Sequence, residues 1–254
     1  MAIETPRPEY MQVADAIRRA IEAGEWAPGS LIPPEPELAA RYGTTRATVN
    51  RALSVLRAEG LVRPKQGRGT TVRELPVLHR DAARRQRREV REEGHARGAF
   101  EGELRALGYT ARSDVTVTEV PAPAAVAEFL GVDEGAMVLA RRREMYANDL
   151  PVQMATSYIP LDIAAGTPIA ETDPGPGGVY SRLAELGHAP AAFAERVQIR
   201  RPADEEARFL QMDLDQRVIA IRRTARTAAG RIVEVNLITL PAHQWELDYE
   251  WPAE

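Results

Sequence analysis

Residues 35–73, EPELAARYGTTRATVNRALSVLRAEGLVRPKQGRGTTVR, decide the fold of the N-terminal part of this chain. A short helix is expected after Pro36, and Gly43 ends it because glycine readily adopts the left-handed conformation at a helix C-cap. Thr44 or Thr45 can then cap a second helix. Its apolar residues recur at helical spacing up to Gly60, namely Val49, Ala52, Leu53 and Leu56. The stretch therefore predicts a helix-turn-helix.

The segment that follows Gly60 predicts a two-stranded β-ribbon. LVRP and TTVR favour strands, and they flank KQGRG, whose glycines suit a hairpin tip. A ribbon in this position would be the wing of a winged helix-turn-helix. The alternative is a plain helical hairpin whose charges only face water. We disfavour it because caps, periodicity and ribbon occur in a mutually consistent order.

The same run resembles the winged helix-turn-helix of the GntR family of bacterial transcription regulators: E-x-E-L-A-x-x-Y-G-x-T-R-x-T-V-x-x-A-L-x-x-L-x-x-E-G-L, closing with G-x-G-T-x-V. The resemblance implies double-stranded DNA as a partner, with the second helix in the major groove. Arg46 and Asn50 are expected to read bases. The other residues expected at the DNA, on phosphates or in the minor groove, are Thr45, Thr48, Arg51, Lys65, Gly67 and Arg68.

Two positions depart from the family pattern. Asn50 stands where the family often has arginine, and Pro36 stands where some members place a basic residue. Asparagine can pair with an adenine edge, so we expect the base contacts to differ from those of relatives.

Composition argues against several classes of protein. The 254 residues include no cysteine and only four histidines, which excludes thiol nucleophiles and thiolate metal sites. We find no phosphate-binding loop and no nucleophile elbow, and therefore expect neither an enzyme nor a bound cofactor or metal. The apolar runs are too short to span a membrane, and the N-terminus lacks a signal-peptide pattern. These features predict a cytoplasmic protein, associated with the nucleoid when bound to DNA.

Charge is distributed unevenly along the chain. Residues 1–78 carry a net charge of +2, residues 79–99 carry +3 and residues 100–254 carry −9, so the total is −4. The acidic excess therefore lies in the C-terminal part, and the N-terminal part keeps the basic balance that phosphate contact requires.

The pattern divides the chain into a winged helix-turn-helix domain at residues 1–75, an arginine-rich linker at 76–99 and a second domain at 100–254. In the second domain, helices are expected at 101–108, 123–132, 178–186 and 203–212. Strands are expected at 113–123, 137–146, 150–160, 191–200, 216–227 and 231–240. The fold class is therefore α+β with an antiparallel sheet.

This second domain resembles the UTRA effector-binding domain of the HutC subfamily of GntR regulators. The phrases that carry the resemblance are R-R-R-x-M-Y-A-N-D-L-P-V, T-S-Y-I-P, G-G-V-Y-x-x-L-x-E-x-G and G-R-I-V-E-V. It implies the chorismate-lyase-like fold, dimerisation through this domain, and a small-molecule effector, often a phosphorylated sugar or a carboxylate.

Strand alternation selects candidate effector-binding residues. Arg141, Arg143 and Met145 should share one face of their strand, and Ser157 should share a face with Gln153 on the next. The full candidate set is Arg141, Arg143, Ser157, Gly178, Tyr180 and Glu234. Arginine supplies a planar donor fork, and the helix start at Gly178 could offer amides to an anion. The bland alternative is a surface ion pair between Arg143 and Glu234.

Family members that bind sugar phosphates commonly have a basic residue in place of Met145 and an acidic one in place of Ala155, so a sugar phosphate is doubtful here. We therefore expect a homodimeric, ligand-responsive regulator that represses a two-fold-symmetric operator and takes a small-molecule effector, either anionic or polar. One alternative is a DNA-binding protein whose C-terminal domain only dimerises. Another is an enzyme that uses the winged helix for targeting, for which the sequence offers no nucleophile–base pair.

Overall fold

The structure is a computed structural model that describes residues 7–65, 67–83 and 98–251. The described residues form two compact units, of which the first ends at Leu78 and the second begins at His79.

The N-terminal unit contains three helices and a β-ribbon. The helices are α1 (Glu9–Glu22), α2 (Glu35–Tyr42) and α3 (Arg46–Ala58). The ribbon strands β1 (Val62–Lys65) and β2 (Gly69–Val72) pair antiparallel. One core takes buried residues from all five elements, among them Ile17, Leu38, Val49, Leu56, Val62 and Val72. The predicted winged helix-turn-helix is therefore confirmed.

Local signals in the sequence set the ends of α2 and α3. Gly43 caps α2 with φ of 64°, a conformation that glycine adopts without steric cost. Of the two threonines that could cap α3, the structure uses Thr45, whose Oγ accepts a hydrogen bond from the Thr48 amide at 3.2 Å. These caps fix where α3 begins, and thereby which side chains occupy its first turn.

The C-terminal unit is built on a six-stranded antiparallel sheet with the strand order β4-β5-β6-β9-β8-β7. Its strands are β4 (Ala111–Pro121), β5 (Met137–Ala147), β6 (Leu150–Pro160), β7 (Pro190–Arg200), β8 (Val218–Thr227) and β9 (Ile232–Pro241). The turn between β5 and β6 has positive φ at Asn148 and Asp149. The α+β class with an antiparallel sheet is confirmed.

Short helices cover both faces of this sheet. They are α4 (Ala99–Ala106), α5 (Ala124–Leu130), α6 (Leu161–Ala164), α7 (Gly178–Glu185) and α8 (Asp204–Leu210). Helix α5 packs against Val138, whereas α6 and α7 pack against Leu139. Because neighbouring residues of a strand point to opposite faces, α5 lies on one face and α6 and α7 lie on the other.

A separate two-stranded pairing joins β3 (Leu78–Asp81) to β10 (Trp245–Asp248). Strand β3 falls inside the segment that the sequence analysis assigned to the linker. The local sequence pattern did not predict β3, because its partner strand β10 lies far away in the sequence. The arginine-rich residues 84–97 of the expected linker lie outside the described residues.

Candidate DNA-binding face and effector cavity

The first turns of α3 present the residues expected to read DNA bases. Arg46 and Asn50 are both exposed. They lie four residues apart, so they share one face of the helix. Val49 and Leu53 are buried in the core on the other side. The amphipathic pattern of α3 therefore holds this polar face at the surface.

Two predicted DNA-binding residues on α3 already have partners within the N-terminal unit. Asn50 donates from Nδ2 to Oε1 of Glu35 at 2.9 Å. The guanidinium of Arg51 lies 4.0 Å from the ring centroid of Tyr10, at cation–π distance. Arg51 is thus held on the flank of α3 next to α1.

The tip of the ribbon carries the remaining basic candidates. Lys65, Gly67 and Arg68 are exposed, and the Arg68 amide donates to the Lys65 carbonyl at 2.9 Å. Gly67 has φ of 71°, which a turn of this kind favours in glycine. The turn thus places two cationic side chains together at the end of the wing.

The C-terminal unit contains a cavity of about 750 Å³ over one face of the sheet. Five of the six effector candidates line it: Arg141, Arg143, Gly178, Tyr180 and Glu234. Ser157 does not line the cavity, but its hydroxyl accepts a hydrogen bond of 2.6 Å from Nη2 of Arg143. The structure thus brings the six candidates to one place.

Polar side chains in directly paired positions cross the sheet beneath this cavity. The pairing places Arg141 opposite Ser157, Ser157 opposite Asn236, Asn236 opposite Arg223, and Arg223 opposite Glu195. Paired residues of an antiparallel sheet point to the same face. One row of side chains therefore runs from β5 to the edge strand β7.

Arg143 stands beside this row and reaches into it. Besides Ser157, its Nη2 contacts Oδ1 of Asn236 at 3.3 Å, while its Nε is buried without a hydrogen-bond partner among the described residues. Burial lowers the pKa of Arg143, although Glu234 opposes the shift. The Nε–H of Arg143 is thus a hydrogen-bond donor that has no protein acceptor in the described part of the chain.

Arg141 is held by backbone carbonyls. Its Nη1 donates to the carbonyls of Ile169 and Glu171, and its Nη2 donates to that of Thr172 at 3.1 Å. Burial lowers the pKa of Arg141 to about 10, helped by the nearby charge of Arg143. Arg141 therefore fixes the loop before α7 and also adds positive charge to the cavity wall.

Tyr180 and Glu234 form a buried hydrogen bond, in which the phenol donates to Oε2 of the carboxylate. Burial raises the pKa of the Tyr180 hydroxyl, so it stays protonated and able to donate. The guanidinium of Arg223 lies 5.5 Å from the Tyr180 ring centroid. Burial opposes the charge of Arg223, but Tyr180, Glu234 and Glu195 together outweigh this effect and raise its pKa.

The start of α7 differs from expectation in one respect. Gly178 lines the cavity, but its amide donates to the Gly175 carbonyl at 3.1 Å. That amide is therefore occupied by a turn of the chain, because the preceding loop folds back on the helix start. Nearby, Gln153 donates to the Met145 sulfur at 2.9 Å, which places Met145 firmly in the wall.

Three further polar residues, on β6, β8 and β9, line the cavity but lie outside the candidate set: Gln153, Arg223 and Asn236. Strand alternation contained a signal for Asn236, because it lies two residues after Glu234 and hence on the same face. Alternation had also placed Gln153 on the face of Ser157, whereas Arg223 could be found only once the order and register of the strands were known.

Two family matches cover most of the chain. The UTRA domain family matches residues 106–245, and the bacterial regulatory proteins of the gntR family match residues 9–72. The chain belongs to the GntR family of regulators. Its C-terminal unit is a UTRA domain, and the matched families and relatives are transcription regulators and not enzymes.

Similar proteins agree with this assignment. The chain is 32% identical to an HTH-type transcriptional regulator of Streptomyces coelicolor, over 96% of this chain and 94% of that protein. It is 31% identical to a histidine utilization repressor of Pseudomonas aeruginosa, over 90% of this chain and 85% of that protein. The chain is thus similar to HutC-type repressors over nearly its full length.

Solved structures support the fold. A crystal structure of a GntR-family transcriptional regulator matches with a TM-score of 0.62 and 27% identity, over 98% of this chain and 99% of the other. The structure of PhnF from Mycobacterium smegmatis matches with a TM-score of 0.60 and 21% identity, over 95% and 100%, and at this identity it shows the fold alone.

The described residues also bear on membrane-spanning helices and metal sites. Among helices of the described residues, none combines the length and apolar character that crossing a bilayer requires. Within residues 7–65, 67–83 and 98–251, no group of three or more His, Asp or Glu side chains is placed to hold a metal ion.

Proposed function

We propose that this chain is a repressor that binds a two-fold-symmetric operator as a homodimer and responds to a small anionic effector in the UTRA cavity. In this proposal Arg46 and Asn50 read bases and the wing contacts the DNA backbone. The protein would act in the cytoplasm, on the nucleoid when bound to DNA. Its relatives include proteins named as repressors, which supports this direction of regulation.

A cluster of buried guanidinium groups in the cavity wall carries the proposal of an anionic effector. Arg141, Arg143 and Arg223 meet there, and each has a buried Nε that lacks a hydrogen-bond partner among the described residues. Glu234 is buried beside them, whereas the other carboxylates of the lining, Glu101, Asp114 and Asp173, are half-buried or exposed. Buried charge is costly unless an opposite charge compensates it. A bound anion would supply that compensation and accept the remaining donors.

The residues beside Arg143 favour a carboxylate over a sugar phosphate. Met145 and Ala155, which replace the basic and acidic residues of sugar-phosphate binders, are both buried and apolar. At these two positions the surroundings of the guanidinium therefore lack the charged groups expected in a sugar-phosphate site and are apolar instead. An effector with a carboxylate next to an apolar or planar group matches this surface.

The effector proposal is tested by thermal unfolding with a panel of small anions. Because relatives include repressors of histidine utilization, the panel combines histidine and other amino-acid-derived carboxylates with a sugar phosphate for comparison. A compound that binds only the folded state raises the unfolding temperature, and the rise increases with the ratio of its concentration to its Kd. We expect stabilisation by a carboxylate, and its loss in Arg143→Ala.

Arg142→Ala is the matched control, because Arg142 lies on the opposite face of the same strand and pairs with Glu144 and Glu205. It should retain the ligand response. If no compound of a broad metabolite panel stabilises the protein, the alternative of a C-terminal domain that only dimerises gains support.

The DNA-binding proposal is tested by selecting bound sequences from random duplex DNA. A dimer should select two half-sites whose centres lie about one helical turn apart. Sedimentation of the protein with the selected duplex would give the number of chains bound. Binding that falls steeply with salt and shows no sequence preference would contradict the specific-repressor proposal.

A further inference from the structure

The hydrogen bond between Glu35 and Asn50 bears on how the DNA sequence is read. We infer that Glu35 is a positioning residue that holds the Asn50 amide in the orientation that accepts adenine and rejects guanine. This inference rests on the proposed function, in which Asn50 faces base edges.

The orientation of the Asn50 side chain follows from its partner. Its Nδ2 lies 2.9 Å from Oε1 of Glu35. A carboxylate oxygen accepts hydrogen bonds, so the amide must present its nitrogen to Glu35 and not its oxygen. The Oδ1 atom and the second Nδ2 hydrogen then remain available to another group.

These two remaining groups match one base. Adenine presents a donor at N6 and an acceptor at N7 in the major groove, whereas guanine presents acceptors at both O6 and N7. The Asn50 amide can therefore accept from N6 and donate to N7 of adenine. To pair with guanine it would have to turn, so that both hydrogens of Nδ2 faced the base. Turning would bring Oδ1 against the Glu35 carboxylate, where two acceptors repel.

The fold keeps Glu35 in place. It begins α2, and Pro34 precedes this helix as its N-cap. A negative side chain is favourable at a helix N-terminus because of the helix dipole. Glu35 is half-buried, and its backbone is fixed relative to α3 by the buried Leu38 and Val49 of the shared core. The carboxylate is thus a built part of the face that carries Asn50.

Glu35→Gln provides the test, because glutamine has nearly the same shape but can either donate to or accept from Asn50. The amide of Asn50 should then turn freely and tolerate guanine. The control is Glu37→Gln, which makes the same change of charge in the same turn of α2 at an exposed position. Both variants should gain affinity for all duplexes by the same electrostatic effect.

The readout is the ratio of affinities for adenine and guanine at the operator position that loses its preference in Asn50→Ala. We expect Glu35→Gln to lower this ratio about tenfold and Glu37→Gln to leave it unchanged. If the adenine-to-guanine ratio is unchanged in Glu35→Gln while Asn50→Ala loses the base preference, the role of Glu35 is overturned. Base reading by Asn50 would still stand. If Asn50→Ala kept every base preference, base reading by Asn50 would be overturned and the inference with it.

Discussion

Arg80 and Glu195 form a two-point ion pair in the C-terminal unit, in which both terminal nitrogens of the guanidinium donate to the two carboxylate oxygens. The Arg80 side chain is 0% exposed and that of Glu195 is 10% exposed. Tyr249 also donates to Glu195, at 2.9 Å. The pair ties β3 to the edge strand β7, and it ends the polar row that starts at Arg141.

Removal of one partner of this pair should strongly destabilise the C-terminal unit. Glu195→Ala leaves a buried guanidinium without its counter-charge, and we expect a loss of about 3–5 kcal/mol in the free energy of unfolding. The double variant Arg80→Met, Glu195→Leu should lose much less, because neither charge remains. Urea unfolding measures both.

Asp162→Asn serves as a control for that experiment. It breaks the ion pair with Arg231, in which both side chains are largely exposed, so the unfolding midpoint should change little. If the losses in the single variants Arg80→Met and Glu195→Leu added up to the loss in the double variant, the two side chains would not act as a pair.

The same pair predicts a pH dependence of stability. Burial alone would raise the pKa of Glu195, but the hydrogen bonds and charge of Arg80 outweigh it and hold that pKa below its usual value. A depressed pKa means that folding favours the ionised form, so its stabilisation is complete above the unfolded-state pKa of about 4.3 and is lost as pH falls through the folded-state value.

Unfolding free energies measured from neutral pH down to about pH 3 should therefore fall more steeply for the wild type than for Glu195→Gln. The difference between the two curves isolates this carboxyl from the other acidic groups. Parallel curves would mean that Glu195 titrates alike in the folded and unfolded protein.

Arg46 offers the sharpest test of the recognition helix. Arg46→Ala should lower affinity for the selected operator about tenfold to a hundredfold. Its affinity for nonspecific DNA should fall only by the contribution of one positive charge near the phosphates. Arg19→Ala removes an exposed arginine of α1 and controls for charge. Fluorescence anisotropy with the cognate and a scrambled duplex separates the two effects, and equal losses on both duplexes would contradict base reading by Arg46.

Much of this architecture was predictable because its signals are local. The caps at Gly43 and Thr45 and the apolar spacing of α3 identify the helix-turn-helix, since each depends on residues a few positions apart. In the same way, alternation along β5 predicted that Arg141 and Arg143 share a face, and both line the cavity.

What local pattern could not predict depends on pairing between distant segments. Arg223 reaches the cavity because β8 lies next to β9 in the sheet. The sequence of β8 alone does not distinguish Arg223 from its neighbour Arg222. Likewise, the sequence around Arg80 is typical of a charged linker, because nothing near Arg80 indicates that it pairs with the distant Glu195. A helix start such as Gly178 suggests a free amide, but the turn from Gly175 occupies it.

Arg223 and Arg222 therefore provide a contrast that the sequence alone did not offer. Arg223 is buried at the cavity, whereas Arg222 lies on the opposite face with its guanidinium 3.9 Å from the Phe129 ring centroid. If the cavity binds anions, Arg223→Met should weaken that binding about tenfold or more, as expected for a charge-assisted hydrogen bond. Arg222→Met should not.

Sodium sulfate, compared with sodium chloride at equal ionic strength, is a suitable probe for unfolding temperature before the effector is known. Sulfate also stabilises folded proteins in general, but that contribution is common to the wild type and both variants. The expected result is a smaller sulfate-dependent rise in unfolding temperature for Arg223→Met than for the wild type or Arg222→Met. Equal rises in unfolding temperature in all three proteins would show that the Arg223 guanidinium does not bind an anion. Arg143 would then be the next cation to test.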